Sequence, residues 1–220
     1  MEWSVIVDRI PDLANGLLQT LWICAAGALS GLTIGAAVTL AQLSGPLLLR
    51  TLTEAYVALC LGLPLLILIY ILFYVLPMYG VTLSPATVGV SALAIYYGPY
   101  FAMVMRAAIL AVPAGQVEAA SAIGLSPWRT AVHVLLPQAV PAMLPPLAGL
   151  LIGLFKDSAL LAVVSVPEFM FHAREAVADT YAPVEIYGAV ALTYWALSAV
   201  CAAAARRLEL RLTAHTIVAT

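Results

Sequence analysis

The feature that most constrains this chain is the length of its segments without charge. Residues 55–105 form a run of 51 positions without Asp, Glu, Lys or Arg, and residues 13–49, 130–155 and 186–205 form runs of 37, 26 and 20. A helix needs about 20 apolar residues to cross the hydrocarbon core of a membrane. The longest run suffices for two crossings, and its central prolines and Gly80 predict a turn between them. The chain is therefore predicted to be an integral membrane protein.

Composition agrees with this prediction. Hydrophobic residues make up 64% of the 220 positions and charged residues 9%, against roughly 25% charged in soluble domains. We predict one all-α transmembrane domain over residues 1–220, with five spans at 17–43, 52–76, 86–110, 133–156 and 185–206. Residues 1–16 are predicted to form an interfacial segment. The external region 157–184 contains an apolar piece, 158–167, which is too short to cross and is predicted to be re-entrant or interfacial.

The basic residues predict the orientation. When the predicted segments are assigned to alternate sides, one side carries six arginines and the other carries Arg9, Lys156 and Arg174. Short cytoplasmic loops are enriched in Lys and Arg, so the six-arginine side is predicted to be inside, with the N-terminus outside and the C-terminus inside. The six are Arg50, Arg106, Arg129, Arg206, Arg207 and Arg211.

Catalytic and metal-binding patterns are not found in the sequence. The three cysteines fall in separate predicted spans without paired spacing, which indicates neither a disulfide framework nor a metal site. His133 and His172 are predicted on opposite sides of the membrane and cannot share a ligand. We find no arrangement of nucleophile and base. We therefore expect a protein that is not an enzyme, and we expect no nucleic acid among its partners.

Residues 112–132, which we call the elbow, interrupt the apolar pattern between the third and fourth predicted spans, on the predicted cytoplasmic side. Residues 117–123 are good helix formers, and Gly124 is a typical helix stop. Ser126 and Pro127 then predict the cap and first position of the next helix. A helix, a bend and a second helix form a knob suited to the groove of a soluble partner. The residues alone fit an ordinary helical loop equally well.

A family resemblance favours the first interpretation. The elbow and its downstream flank resemble the EAA signature of permease subunits in ABC importers: Glu118-Ala119-Ala120, Gly124, Val134 and Leu136-Pro137. The segments around it, and several others along nearly the whole chain, resemble the polar amino-acid uptake branch of that family, which includes histidine, glutamine and arginine permeases. The resemblance implies a type I ABC-importer permease fold in a bacterial inner membrane.

In that family the EAA loop rests in a cleft of a cytoplasmic ATPase and transmits its closure to the spans. The resemblance therefore implies that the elbow couples this chain to an ATPase through Glu118, Ala119, Ala120, Ser121, Gly124, Leu125 and Arg129. The sequence contains no G-x-x-x-x-G-K-[ST] phosphate-binding loop, so ATP and Mg²⁺ are expected on a separate chain and no cofactor on this one. The other implied partners are a second permease, an external solute-binding protein and membrane lipid.

Three positions depart from the family pattern. Leu61 and Pro141 stand where arginine is usual, and Met103 stands where glutamate is usual. Charges inside a membrane usually mark a substrate path, and we take as candidate path residues Leu61, Gly62, Pro64, Tyr100, Met103, Pro141 and Lys156. Two hypotheses explain the departures. The favoured one makes this chain the non-binding half of a heterodimer. The other has a more apolar solute, or one held by backbone dipoles at the interrupted helix around Gly62 and Pro64.

Other questions stay open at this level. An ion-coupled secondary carrier of amino acids or small organic solutes is the alternative function. Gly27, Gly31 and Gly35 share one helix face and predict close packing, either within the chain or at a dimer seam. The charged residues of the external region are expected to be solvated, or to contact an external partner: Glu168, His172, Arg174, Glu175 and Asp179.

Overall fold

The fold is helical throughout the part of the chain that the structure describes. The structure is a computed structural model that describes residues 4–213, and side chains over residues 6–210; the side chain of Arg211 lies outside that range. Its helices are α1 (Ser4–Ser44), α2 (Leu47–Gly62), α3 (Leu65–Tyr70), α4 (Pro85–Leu110), α5 (Ala114–Ala122), α6 (Pro127–Thr130), α7 (Leu136–Asp157), α8 (Phe169–Thr180) and α9 (Pro183–Thr213). In the described part of the chain, two π-helical turns (Ile71–Val75, Ala131–Leu135) and two 3₁₀ segments (Leu76–Tyr79, Ser158–Val164) extend them.

Within the described residues, four helical stretches are long and apolar enough to cross a membrane. They are Ile6–Ser44, Pro85–Leu110, Pro127–Val164 and Pro183–Leu210, and a bent pair, Leu47–Gly62 with Leu65–Tyr79, raises the number to five if it counts as one span. The predicted all-α membrane fold is confirmed. α1 also continues the first predicted span through the described part of segment 1–16 without a break, so residues 4–16 are not a separate helix.

The second predicted span, 52–76, is two helices rather than one. α2 ends at Gly62 and α3 begins at Leu65, and the helical stretches Leu47–Gly62 and Leu65–Tyr79 are bent by 106° relative to each other. Leu63 adopts an extended conformation with φ −102° and ψ 126°, as expected for a residue before proline. Pro64 cannot donate the backbone hydrogen bond that a continuous helix needs there. The interruption predicted around Gly62 and Pro64 is thus present as a sharp corner.

The glycine face of α1 packs within the chain. A Cβ atom built on Gly27 would meet Leu93 at 3.0 Å, and one built on Gly35 would meet Phe101 at 2.8 Å and the carbonyl oxygen of Gly98 at 3.0 Å. These contacts place the backbone of α1 directly against α4, and Phe101 and Leu93 are fully buried there. The packing that the sequence left open is therefore internal.

The external region 157–184 is mostly helical. The predicted re-entrant piece 158–167 begins with the 3₁₀ segment, which follows α7 directly and buries Leu161 and Val164 in the main core. A left-handed Ser165, with φ 57°, ends it. α8 then packs against α1 and α9 in a second apolar cluster that includes Ala173 and Ile186. Burial against these helices holds most of region 157–184 in defined secondary structure.

Candidate functional site

The first half of the elbow is a short helix with a defined stop. α5 ends at Ala122, and Gly124 lies in the left-handed region with φ 76°. The amide of Leu125 donates to the carbonyl of Ala120 at 3.0 Å, and the amide of Gly124 donates to that of Ser121 at 3.0 Å. These two bonds form a Schellman motif, which satisfies carbonyl groups that a helix end otherwise leaves without partners. The predicted glycine stop is confirmed.

The second half of the elbow begins with the predicted cap. The side chain of Ser126 accepts a hydrogen bond from the amide of Arg129 at 3.4 Å, and Pro127 occupies the first turn of α6. α6 continues through the π-helical turn Ala131–Leu135 into α7 without a gap. The elbow is therefore joined directly to the long helix that follows it.

Most of the elbow surface is open. Ile123 is 77% exposed and Trp128 is 75% exposed, and the exposed coupling candidates are Glu118, Ala119, Ser121, Gly124 and Arg129. Leu125 is half-buried. Ala120 differs from the others, because it is 2% exposed and its methyl group packs inside the protein. The arrangement presents one carboxylate and two large apolar side chains beside a rigid bend.

The candidate path residues do not form one site. Leu61 and Met103 line a cavity of about 460 Å³ between α2 and α4, together with Glu54 and Arg106. Pro141 lines a different cavity, of about 570 Å³, with residues at the end of α4 and on α7.

The other candidates lie apart from both cavities. Gly62 and Pro64 form the exposed corner after α2. Lys156 is exposed near the end of α7.

Tyr100 belongs to an aromatic cluster on α4. Its hydroxyl donates to that of Tyr96 at 3.4 Å, and its ring lies 6.0 Å from that of Tyr97. Tyr97 donates a hydrogen bond of 2.7 Å to Asp157, the residue after Lys156. Lys156 is exposed, whereas Asp157 is bonded to Tyr97. These two neighbours therefore have different surroundings, as expected for adjacent positions on a helix.

Glu168 is a buried polar residue whose burial the sequence did not predict. We expected it to be solvated or at an external interface, but it is 0% exposed. Its carboxylate caps α8 by accepting from the amide of Phe171 at 2.7 Å, and it also accepts from the hydroxyls of Thr20 at 3.3 Å and Tyr194 at 3.4 Å. Burial raises its pKa, and these hydrogen bonds, with one from Met170, partly oppose the rise.

The only local signal for this role was a carboxylate placed at the start of a helix. The burial comes from α1 and α9, which are distant in sequence. Among residues 4–213, no group of three or more His, Cys, Asp or Glu side chains is placed to hold a metal ion.

The chain matches a known family over most of its length. The model of the family described as "Binding-protein-dependent transport system inner membrane component" matches residues 12–214. A relative named "Probable amino-acid ABC transporter permease protein YckA", from Bacillus subtilis (strain 168), is 34% identical over 215 residues, which is 95% of each chain. The glutamine transport system permease protein GlnP of Escherichia coli (strain K12) is 34% identical over 213 residues, 96% of this chain and 97% of GlnP.

Solved structures match the fold. A chain of a structure titled "Crystal structure of an amino acid ABC transporter with histidines" superposes with a TM-score of 0.90 at 28% identity, over 96% of this chain and 99% of that one. A chain of the inward-facing MetNI methionine ABC transporter superposes with a TM-score of 0.76 at 21% identity, over 91% of this chain and 95% of that one. The type I importer permease fold and the resemblance to ABC permeases are thus confirmed: the chain belongs to the family of inner membrane components of binding-protein-dependent transport systems.

Proposed function

We propose that this chain is a transmembrane permease subunit of an ATP-driven importer for an amino acid or a related small solute. The names of its relatives support the solute class, since they include amino-acid, glutamine and L-cystine transport proteins at 33–34% identity. In this proposal ATP and Mg²⁺ bind to a separate ATPase, and this chain converts ATP hydrolysis there into alternating access across a bacterial cytoplasmic membrane.

The observation that carries the proposal is the elbow. Its bend is held by the Schellman bonds at Gly124 and by the Ser126 cap, so it can transmit a displacement without unfolding. Exposed Trp128 and Ile123 offer the large apolar contacts that dominate binding at protein interfaces. A rigid contact driven by a partner that closes and opens is a suitable input for a two-state rearrangement of helices.

In this proposal the elbow faces the cytoplasm, and α8 lies on the external side of the membrane. On the outer side the guanidinium of Arg9 on α1 contacts Asp179 of α8 at 2.9 Å. An external solute-binding protein would deliver its solute to this face. Lipid would surround apolar side chains that are largely exposed in the single chain, such as Leu29 and Leu192.

The second permease is proposed to differ from this chain. Leu61, Met103 and Pro141 carry no charge, and Leu61 and Pro141 line separate cavities. A sister subunit would supply the charged binding site in the middle of the path. This chain would then be the half of the heterodimer that lacks this site. Transport assays with this chain as the sole permease test this: efficient uptake by a homodimer contradicts the heterodimer.

Reconstitution in proteoliposomes tests the energy source. The complete complex is expected to accumulate a radiolabelled amino acid only when the ATPase has hydrolysable ATP, and ionophores that collapse proton and sodium gradients are expected to leave uptake unchanged. Uptake driven by an ion gradient without ATP would instead establish the ion-coupled carrier.

Co-purification tests the elbow contact separately. Trp128→Ala is expected to lower the affinity for the ATPase about tenfold or more, because buried Trp anchors carry much of the energy of an interface. Trp195→Ala is the matched control, since Trp195 is 70% exposed on α9, away from the elbow. Equal ATPase retention by the two variants contradicts docking at Trp128.

A further inference from the structure

The cavity between α2 and α4, which we call the α2–α4 cavity, contains charges of both signs. It has a volume of about 460 Å³, within the range of roughly 300–1,000 Å³ usual for small-molecule sites. Its wall on α2 includes Glu54 and Leu61, its wall on α4 includes Met103 and Arg106, and Gln42 of α1 completes it. The proposed coupling through the elbow gives these side chains no role.

Helix periodicity explains why these residues meet. Glu54 and Leu61 are seven positions apart, or two turns of α2, and Met103 and Arg106 are three positions apart on α4, so each pair shares one face. The two walls are fixed to each other by the hydroxyl of Tyr56 on α2, which donates to the carbonyl of Ile95 on α4 at 2.6 Å. The cavity is therefore a built feature of the fold.

The two charges do not neutralise each other in the single chain. The ion pairs within 4.0 Å among the described residues involve Arg9 and His172 with their acidic neighbours, and neither Glu54 nor Arg106 takes part in one. Both side chains are exposed. Charged residues in membrane-spanning helices are energetically costly and mark paths for polar solutes.

Each wall carries one charged and one apolar side chain: Glu54 and Leu61 on α2, and Arg106 and Met103 on α4. Glu54 is displaced about 10 Å along α2 from Leu61, and Arg106 about 4.5 Å along α4 from Met103, at 1.5 Å per residue. On the orientation that the arginines predict, both displacements point toward the cytoplasm.

We propose that the α2–α4 cavity is an exit-side binding site for a zwitterionic amino acid. Arg106 binds the α-carboxylate, Glu54 binds the α-ammonium group, and Leu61 and Met103 contact the solute's side chain. A guanidinium is suited to the two oxygens of a carboxylate, and charge-assisted hydrogen bonds are stronger than neutral ones. The inference rests on the proposed function: the sister permease holds the solute in the middle of the path, and this chain receives it on the way in.

Binding to the nucleotide-free complex in lipid nanodiscs tests the site. The probe is whichever of the twenty radiolabelled L-amino acids the wild-type complex accumulates fastest. Arg106→Gln and Glu54→Gln are each expected to weaken its binding about ten- to a hundredfold, the usual range for a hydrogen bond to a charged group. Arg206→Gln and Glu185→Gln, which remove charges from α9, are the matched controls and are expected to keep wild-type affinity.

Analogues identify which group each residue binds. The amine that lacks the carboxylate is expected to bind the wild type weakly, and Arg106→Gln is expected to abolish the discrimination between it and the amino acid. Glu54→Gln is expected to do the same for the analogue without the ammonium group. Arg106→Lys and Glu54→Asp keep the charges, and we expect them to assemble and to bind about three- to tenfold more weakly, because the geometry of the contacts changes.

Three outcomes overturn the proposal. Wild-type affinity in the charge-removing variants shows that the charges do not contact the solute. Loss of the permease dimer in size-exclusion chromatography shows that they pair with the second subunit. If Arg106→Gln and Glu54→Gln fail to assemble, Arg106→Lys and Glu54→Asp decide the question. Unchanged affinity in these two variants contradicts direct contact with the solute. The two proposals fail separately: gradient-driven uptake without ATP contradicts only the ATP-driven importer, and unchanged binding with intact ATP-driven uptake contradicts only this site.

Discussion

The hydroxyl of Tyr97 on α4 donates a hydrogen bond of 2.7 Å to the carboxylate of Asp157 at the end of α7. Tyr97 is 5% exposed and lies in the main apolar core. The bond therefore joins two long helices from within the core, at the end of α7 that lies opposite the elbow.

Tyr97→Phe is expected to destabilise the protein by about 1.5–3 kcal/mol, because it removes a hydrogen bond to a charged group and leaves the ring in place. The midpoint of thermal unfolding in detergent measures the effect. Tyr100→Phe is the control, since its hydroxyl makes a longer bond of 3.4 Å to Tyr96. Equal shifts in the two variants contradict a special role for the Tyr97 bond.

Gly124→Val is expected to cost about 1–2 kcal/mol and to uncouple the ATPase from transport, because residues with a Cβ avoid the left-handed conformation. A Cβ at Gly124 would meet nothing within 4 Å, so the strain comes from φ alone. Gly115→Ala is a suitable control: it also lies in open space, but in the helical region of α5. The measurement compares ATP hydrolysed per solute imported, and a normal ratio in Gly124→Val contradicts the rigid bend.

Gly35→Ala is expected to destabilise the packing of α1 on α4 by about 1–3 kcal/mol, as other overpacking substitutions do. The added methyl would lie 2.8 Å from Phe101 and about 3 Å from backbone atoms of Gly98 and Ala102, which have little freedom to move. Gly149→Ala on α7 is the control, because it has open space and a gain in helix propensity. Thermal unfolding of both variants measures the difference, and a stabilised Gly35→Ala contradicts the close contact.

The stability of the protein is expected to fall as the pH rises from about 4.5, the ordinary pKa of a glutamate carboxyl, through the raised pKa of Glu168 in the folded state. The sign follows from linkage: between those two values the folded state binds more protons than the unfolded state, so raising the pH favours unfolding. Glu168→Gln keeps an acceptor for the Phe171 amide and is expected to flatten this dependence.

Unfolding temperatures measured across pH 4.5 to 8 check the prediction. Glu185→Gln, on the more accessible start of α9, is the control and is expected to keep the wild-type profile. Glu168→Ala also removes the cap of α8 and is expected to be less stable than Glu168→Gln by about 1 kcal/mol at every pH. A wild-type slope in Glu168→Gln contradicts the prediction.

The sequence best predicted those features of the structure that are set by residues adjacent along the chain. A left-handed glycine after a helix and a serine before a proline are set by local backbone energetics, so the bend at Gly124 and the cap at Ser126 could be predicted from a dozen letters. The charge-free runs likewise indicated membrane helices, because span length is a one-dimensional requirement.

The parts that it did not predict depend on contacts between distant segments. The spacing of Gly27, Gly31 and Gly35 predicted close packing of α1, but only the fold shows that α4 is the helix packed against it. Glu168 is buried by α1 and α9, about 150 and 26 positions away in sequence, and no local pattern distinguishes it from a solvated acid. Sequence also indicated an interruption near Pro64 without giving its 106° angle, because that angle depends on how α3 packs.

The contact of α1 with α4 has a mechanical consequence. With Gly31 and Gly35 in close contact with Phe101, the two helices cannot slide past each other without a steric clash, so we expect them to move as one rigid unit. α4 ends at Leu110 and the elbow begins at residue 112, so in the proposed coupling a displacement of the elbow would reach both helices. Leu63, between α2 and α3, is extended rather than helical, so we expect the chain to bend at this corner when the packed pair moves.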